Sequence, residues 1–421
     1  MVLPTGRYRG TPVEYHSDSG GPYGEWSEPR PIGSDSAAPV SPATFASLTS
    51  TRGGAVFLFG NDVRNFGPAF VAENPLSAWE IAPHGGRSLG RPPGTFRFAY
   101  PRALVDARDR LHLLWGEPAG EARPIRGSEW RDEELVSIWT SVYESNDGWS
   151  APRPLFEGRD LRLSWHNMLA PVHSQAQRSS AVLAVPIDPH GAEGHGMVLV
   201  SFNASDNLFA SVVHTTSQVA YSSAVSCGAR AFLGFIAPAP VQRFGRDRNS
   251  VFVQSSGDGG LTWSPAVLVS RSGGAAAFEV KALIGPDGTV HLVWQQEHRG
   301  RIVFRHVVSR DGGESWSLPD DLAAPPSAYH FQAAVGKCGT LHLVWEHRDW
   351  PADLSHIDHA TWCGHWSAIT HSFTTLTVNM PVLHLAHDGR LLLAFQGKLA
   401  TSDEAEPLVT MYSELAPGKR W

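Results

Sequence analysis

The chain has little charge. Only 18% of its 421 residues are Asp, Glu, Lys or Arg, and the formal net charge is -7. Nucleic acids and anionic membrane surfaces bind proteins through clustered Lys and Arg, so both are poor candidates as partners. The chain also has no apolar run of about 18 residues, so we expect no membrane-spanning helix.

Cysteine is scarce as well. The three cysteines, Cys227, Cys338 and Cys363, match neither a zinc-binding spacing nor an even set of disulfides. We interpret them as buried free thiols in a reducing compartment. The opening MVLPTGRYRG lacks the charged region and the apolar stretch of a secretory signal. The expected location is therefore cytoplasmic, or extracellular if a signal has been removed.

Several catalytic motifs are missing. The sequence has no HExxH, no paired cysteines, no phosphate-binding P-loop and no GxSxG in a suitable context. These absences argue against a zinc protease, an NTPase and an α/β-hydrolase.

Glycine, proline and tryptophan are plentiful, with 41, 31 and 15 copies. Turn formers and large aromatics in these amounts are typical of an all-β protein with many short strands. A pair of apolar strands joined by a small turn recurs seven times, at intervals of roughly 50 to 65 residues. The best copies are Val280–Glu297, Phe331–His347 and Tyr100–Glu117, and weaker ones begin near Ala43, Met168, Val219 and Met380.

Such a unit cannot bury both of its faces alone, so it needs neighbours on either side. We predict a seven-bladed β-propeller of four-stranded antiparallel blades that forms a single domain over residues 1–421. The segment Gly24–Pro31 reads as a lone outer strand, and the last repeat, Met380–Trp421, ends after its third strand. We therefore expect the N-terminal strand to pair with the last blade and close the ring, which removes open sheet edges.

A second motif lies between the third and fourth strands of several repeats. Ser255–Trp263 (SSGDGGLTW) and Ser309–Trp316 (SRDGGESW) fit the pattern Ser-x-Asp-x-Gly-x-Ser/Thr-Trp. Shortened relatives occur at Ser145–Leu155, His16–Ile32 and Cys363–Ile369. We expect the aspartates to accept backbone N–H groups, the glycines to adopt unusual backbone angles and the tryptophan to pack between sheets. The motif is thus predicted to be structural.

This pattern is the Asp box, or bacterial neuraminidase repeat, and the chain resembles the sialidase-like superfamily of β-propellers over nearly its whole length. The resemblance to true sialidases fails at the residues that matter. Those enzymes have six blades. Their Arg-Ile-Pro motif is also missing here, since the nearest match, Tyr100-Pro101-Arg102-Ala103-Leu104, has proline and arginine in the wrong order. The chain is closer in character to the seven-bladed propellers that act as polysaccharide lyases or glycosidases.

Loops before the first strand and after the second strand of each blade emerge at one mouth of the central channel, opposite the Asp boxes. Polar residues at these positions are candidates for a site. The predicted catalytic residues are His166, His330, Tyr100 and Tyr221. The predicted substrate-binding residues are Arg97, Arg299, Arg348, His347, Asn167, Gln332, Glu117, Glu279, Lys281 and Arg64. By contrast, His112, His291 and His342 recur at one place in the repeat, so we interpret them as structural.

The resemblance to the lyases implies a carbohydrate-active enzyme that cleaves an acidic, uronate-containing glycan by β-elimination. That reaction needs a cation for the carboxylate, a base for the C5 proton and an acid for the leaving oxygen. His166 or His330 would be the base, Tyr100 or Tyr221 the acid, and Arg97, Arg299 or Arg348 the cation. No cofactor is required, although the resemblance allows a structural divalent cation.

Other functions stay open at this point. The mouth also carries Glu117, Glu279 and Glu346, so a glycoside hydrolase of sialidase-like or rhamnosidase-like type is an alternative. An enzyme of specialised metabolism and a lectin-like binding propeller are further alternatives. The mouth residues differ from blade to blade, which favours one site over several equal ones. We expect a carbohydrate or small-molecule substrate, and a monomer or small homo-oligomer.

Overall fold

The structure is a computed structural model. It describes residues 23–32, 43–62, 76–82, 85–94, 99–106, 108–118, 123–124, 131–163, 183–187, 195–202, 208–215, 219, 221–238, 249–270, 277–298, 301–325, 327–349, 354–375, 378–397 and 409–417. All regular structure in these residues is β-strand, and no helix among them is long and apolar enough to cross a membrane.

The described strands form seven antiparallel sheets, which we number in chain order. Two short strands precede them, β1 (Tyr23–Trp26) and β2 (Arg30–Pro31). Sheet 1 contains β3 (Ala43–Ser50), β4 (Val56–Asp62), β5 (Leu76–Ala82) and β6 (Gly85–Ser88). Sheet 2 contains β7 (Ala99–Val105), β8 (Leu111–Pro118), β9 (Arg123–Pro124), β10 (Arg131–Glu144), β11 (Gly148–Trp149) and β12 (Arg153–Leu163). Sheet 3 contains β13 (Leu183–Ile187), β14 (His195–Phe202) and β15 (Leu208–Thr215).

The remaining sheets follow the same plan. Sheet 4 contains β16 (Tyr221–Cys227), β17 (Arg230–Pro238), β18 (Asn249–Ser256) and β19 (Val267–Leu268). Sheet 5 contains β20 (Ala277–Ile284), β21 (Val290–His298), β22 (Arg301–Ser309) and β23 (Asp320–Ala323). Sheet 6 contains β24 (Ala328–Val335), β25 (Leu341–Asp349), β26 (Leu354–Trp362) and β27 (Thr370–Thr375). Sheet 7 contains β28 (Val378–Leu385), β29 (Leu391–Gly397) and β30 (Val409–Pro417), and both β1 and β2 pair with β30.

The architecture is therefore that of a β-propeller built from antiparallel, four-stranded blades. Sheets 1, 4, 5 and 6 have four strands in simple up-and-down order. Neighbouring sheets touch through their innermost strands, at β3–β7, β13–β16, β16–β20, β20–β24, β24–β28 and β28–β3. Sheets 2 and 3 touch through β12 and β13.

Hairpin turns join the first and second strands, and their residues explain the geometry. In sheet 5, the amide of Gly285 donates to the carbonyl of Thr289 at 2.7 Å, and Asp287 Oδ1 accepts from the Thr289 amide at 3.0 Å. Gly288 has a φ of 82°, which glycine adopts without steric cost. Sheet 6 repeats the turn, since the Gly336 amide donates to the Thr340 carbonyl at 2.8 Å.

The core lies between the sheets. Both faces of the second strands are covered by neighbours, so β21 is buried from Val290 to Gln296 and shows no polar alternation. Trp115, Trp294 and Trp345 are fully buried at equivalent places in sheets 2, 5 and 6. Truncating one of them to alanine would cost about 3–5 kcal/mol.

Two predictions about single residues have opposite outcomes. The interpretation of the cysteines as buried is wrong, because Cys227, Cys338 and Cys363 are all exposed in turns or at a strand end. A cysteine at such an exposed position has little effect on the free energy of unfolding, because it does not pack in the core. The interpretation of the recurring histidines as structural agrees with their burial.

Candidate functional site

Five of the described inner strands skip register near their first residues, and in β20, β24 and β28 the skip comes with a positive φ. The strand register skips at Glu279, His330 and Met380, and these residues have φ of 39°, 45° and 50°. Positive φ is uncommon for a residue with a side chain, and such bulges redirect a side chain at the rim of a sheet. They occupy equivalent places in sheets 5, 6 and 7, at the end where the inner strands begin. We call this the upper end.

His330 and Arg348 meet on one carboxylate at this end of sheet 6. Glu346 Oε2 lies 3.1 Å from His330 Nδ1, and Arg348 Nε donates to Glu346 Oε1 at 2.8 Å. The Glu346 side chain is fully buried, whereas those of His330 and Arg348 are 34% and 37% exposed. A ligand can therefore reach the histidine and the arginine while Glu346 orients both from beneath.

A second group lies on the adjacent sheets. Lys281 Nζ is 2.8 Å from Glu279 Oε1 and 5.4 Å from the centroid of the Phe331 ring. Phe331 directly follows His330, so this lysine links sheet 5 to the site of sheet 6. Burial, and then the charge of Glu279, raises the pKa of the Tyr221 phenol. Tyr221 is consequently protonated at physiological pH and can donate a hydrogen.

One polar atom near this group is left without a partner. Gln332 Oε1 is buried and accepts no hydrogen bond from the described residues. Gln332 follows His330 by two positions, and Lys281 has the same relation to Glu279. A buried acceptor that lacks a partner costs about 1–3 kcal/mol, so its presence favours a ligand or water that donates to it.

A cluster of three histidines surrounds one aspartate on the opposite face of sheet 6. Asp358 is fully buried; its Oδ1 is 2.5 Å from His371 Nδ1 and its Oδ2 is 3.1 Å from His347 Nδ1. The His356 ring lies 4.9 Å from that of His371 and 5.5 Å from that of His347. We call these four residues the histidine cluster.

The charges within the histidine cluster stabilise each other. Burial alone would raise the pKa of Asp358, but the two neighbouring histidines outweigh burial and lower it. The hydrogen bond to Asp358 raises the pKa of His371 against the opposing effect of burial. Nitrogen and carboxylate atoms in this arrangement can hold a metal ion, since ligand atoms of His347, Asp358 and His371 all lie within 4.8 Å of one another.

The Asp boxes lie at the opposite end and are structural, as their composition predicts. Asp258 Oδ1 accepts from the amides of Leu261 and Thr262 at 3.0 and 2.9 Å. Gly260 has a φ of 93°, and the Trp263 indole donates to the Gly260 carbonyl at 3.1 Å. The hydrogen bond from the Thr262 hydroxyl, followed by that from the Thr262 amide, lowers the pKa of Asp258, so the carboxylate is committed to its own turn.

The family follows from a comparison of the sequence. The model of the BNR repeat-like domain family matches residues 126–355, just over half of the chain. The chain belongs to this family. The match contains both complete Asp boxes and the candidate site of sheets 4 to 6. No curated protein matches the chain in sequence.

Solved structures share the fold at low identity. A Dyadobacter fermentans protein described as of unknown function has a TM-score of 0.51 and 12% identity, over 93% of this chain and 99% of its own. An ulvan lyase bound to a glucuronic acid and rhamnose 3-sulfate unit has a TM-score of 0.53 and 11% identity, over 90% and 97%. Another polysaccharide lyase has a TM-score of 0.52 and 12% identity, over 92% of each chain.

The structure places part of the predicted site. It brings His330 and Arg348 together, and it puts Tyr221, Glu279, Lys281 and Gln332 at the same end of neighbouring sheets. His347 lies instead on the face of the histidine cluster. Five predicted residues lie outside the described part of the chain, namely His166, Asn167, Arg64, Arg97 and Arg299. Tyr100 and Glu117 lie on β7 and β8, but their side chains are outside the description.

Sequence reasoning missed three members of the histidine cluster, His356, Asp358 and His371. The signal was the sequence His356-Ile357-Asp358, whose first and third residues face the same side of a strand. Their relation to His347 depends on strand register, because His347 pairs with His356, and Asp358 with His371.

Proposed function

We propose that the chain is a carbohydrate-active enzyme that cleaves an acidic, uronate-containing glycan by β-elimination. The observation that carries the proposal is the pair of partly exposed groups, His330 and Arg348, held on the buried Glu346. A histidine suits proton abstraction near neutral pH, and an arginine suits a substrate carboxylate. The fold shared with two polysaccharide lyases supports the same substrate class.

The reaction divides among the described residues as follows. Arg348, with Lys281, neutralises the uronate carboxylate and so makes the C5 proton more acidic. His330 removes that proton, and the electron pair of the C5–H bond forms the C4–C5 double bond. The bond from C4 to the leaving oxygen breaks, and Tyr221 donates a proton to that oxygen. Reprotonation of Tyr221 and loss of the proton from His330 complete the cycle.

The proposal extends to the architecture that holds the site. The seven sheets are the blades of one ring and one domain, residues 1–421, closed by β1 and β2 on β30. Pairing of Trp26 with Leu415 and of Arg30 with Tyr412 supports the closure. So does the contact between the inner strands β28 and β3.

Incubation with a panel of uronate-containing polysaccharides tests the activity. We expect an increase in ultraviolet absorbance from the unsaturated uronate, and His330→Ala should lower the rate by about 10²–10⁴-fold, the usual contribution of a general base. Because His330→Ala also removes a partner of buried Glu346, it should lower the melting temperature. His330→Asn, whose amide can still donate to Glu346, should lose the same activity with little change in melting temperature. His365→Ala, at an exposed turn of the same sheet, is the matched control and should keep full activity.

Reducing ends are assayed in parallel with absorbance. New reducing ends without unsaturated product would replace β-elimination by hydrolysis. Absence of both, with glycan binding retained, would indicate a lectin-like propeller instead of an enzyme. Full activity in His330→Asn would show that this histidine positions Glu346 and is not the base.

A further inference from the structure

The histidine cluster presents ligand atoms from three adjacent strands to one point. His347 lies on β25, Asp358 on β26 and His371 on β27. The Asp358 side chain is fully buried, that of His347 is 15% exposed and that of His371 is 33% exposed. The cluster is thus anchored in the sheet on one side and accessible from solvent on the other.

Two buried atoms of the cluster face each other at ion-pair distance. His347 Nδ1 and Asp358 Oδ2 lie 3.1 Å apart, and neither has a hydrogen-bond partner outside this pair among the described residues. Metal–ligand bonds of about 2.0–2.1 Å in a tetrahedral site place two ligand atoms about 3.3 Å apart. The separation of the two atoms therefore suits two ligands of one ion. The shorter contact from His371 is a hydrogen bond, which would lengthen when both residues bind the ion.

The repeat does not require these residues. In sheet 5, strand pairing puts Gln296, Val303, Arg305 and Asp321 at the four equivalent positions. There, Arg305 and Asp321 form an ordinary ion pair at 3.1 Å. Histidine therefore stands in sheet 6 at three positions where sheet 5 has Gln296, Val303 and Asp321, which indicates a local role for the cluster.

We propose that His347, Asp358 and His371 bind a divalent transition-metal ion of the zinc class. Two imidazoles and one carboxylate favour zinc over calcium or magnesium, which prefer oxygen ligands. The fourth position falls to water or to the nearby His356. The ion would fix the three outer strands of sheet 6 to one another. It would hold β25 at His347, which lies between Glu346 and Arg348.

Titration of the chelator-treated, tag-free protein with Zn²⁺ tests this site directly. Calorimetry should give one ion per chain, and Co²⁺ should give the visible absorption of a site with nitrogen and oxygen ligands. His347→Ala and His371→Ala should each weaken Zn²⁺ binding by about 100-fold or more, because each removes a ligand. His371 is partly exposed, so its variant should fold even where an Asp358→Asn variant does not.

Two control variants separate this site from adventitious binding. His365→Ala removes an exposed histidine of the same sheet, and Asp321→Asn breaks the equivalent ion pair of sheet 5. Both should bind Zn²⁺ as tightly as the wild type. A folded wild type that binds no Zn²⁺, or unchanged binding in a His347→Ala/His371→Ala double variant, would refute the metal site. Neither result depends on glycan cleavage, so the metal site and the proposed function fail separately.

Discussion

Glu346 has no contact with solvent, yet the proposed reaction depends on it. Its two oxygens hold a histidine on one side and an arginine on the other, at 3.1 and 2.8 Å. A buried carboxylate is stable only when such partners satisfy it. The positive φ of His330 adds local strain, which proteins tolerate mainly where a side chain must point in a particular direction.

Tyr221 provides a test at the same scale. Its raised pKa keeps the phenol protonated, so it can serve as the acid throughout the working pH range. Tyr221→Phe should lower the rate of glycan cleavage by about 10²-fold or more, because the leaving oxygen loses its proton donor. Steady-state kinetics should show the loss in kcat. In the wild type, kcat should not fall at basic pH through ionisation of this tyrosine.

A second buried tyrosine serves as the control for Tyr221. Tyr412 donates to Glu414 Oε1 at 2.8 Å in sheet 7, and burial followed by that bond raises its pKa as well. Tyr412→Phe should therefore lower the free energy of unfolding by about 1–2 kcal/mol and leave kcat unchanged. If both variants retained full activity, Tyr221 would have no part in catalysis.

At the scale of strands, buried histidines form hydrogen bonds between neighbouring strands, and protonation of these histidines in acid should weaken the fold. His291 Nδ1 lies 3.0 Å from His306 Nε2 across β21 and β22, and His384 Nε2 lies 3.0 Å from Ser50 Oγ across β28 and β3. Burial lowers the pKa of His384 to about 4. Burial likewise lowers the pKa of His291 to about 4, with the charge of Asp287 opposing it.

These shifts set the sign of the pH dependence. The unfolded histidine has a pKa near 6.5 and takes up a proton below it, whereas folded His384 stays neutral until about pH 4. Acid therefore favours the unfolded state. Between pH 7 and pH 5, His384 alone should lower the free energy of unfolding by about 2 kcal/mol. Urea unfolding of the wild type and of His384→Gln at both pH values measures the contribution of His384. If the free energy of unfolding changed equally with pH in both proteins, this prediction would be wrong.

Sequence patterns predict strands and turns of this fold because their causes are local. The hairpin at Gly285 and the Asp box at Asp258 have their hydrogen bonds within a few residues, so composition alone identifies them. The position of Glu346 between His330 and Arg348 depends instead on a bulge and on pairing between strands. The contact of His347 with Asp358 depends on the register of β25 and β26, which the sequence does not encode at short range.

At the scale of the molecule, the N-terminal residues complete the sheet that ends the chain. Ser27 donates its amide to the Glu414 carbonyl at 2.8 Å, and Trp26 packs against Phe373 with ring centroids 6.1 Å apart. Ile32 is buried in the apolar cluster that joins sheet 7 to sheet 1. Residues 23–32 therefore cover the edge of β30 and pack against the core on both sides of sheet 7.

Removal of residues 1–32 should consequently prevent stable folding. It would expose the edge of β30 and the surface around Tyr412, and an open edge of this kind promotes aggregation. The matched control is a deletion of residues 1–22, which keeps β1, β2 and Ile32, so the difference between the two deletions measures what these elements contribute. Thermal unfolding and size-exclusion chromatography compare the two. A soluble 1–32 deletion with the melting temperature of the 1–22 deletion would mean that β1, β2 and Ile32 do not stabilise sheet 7.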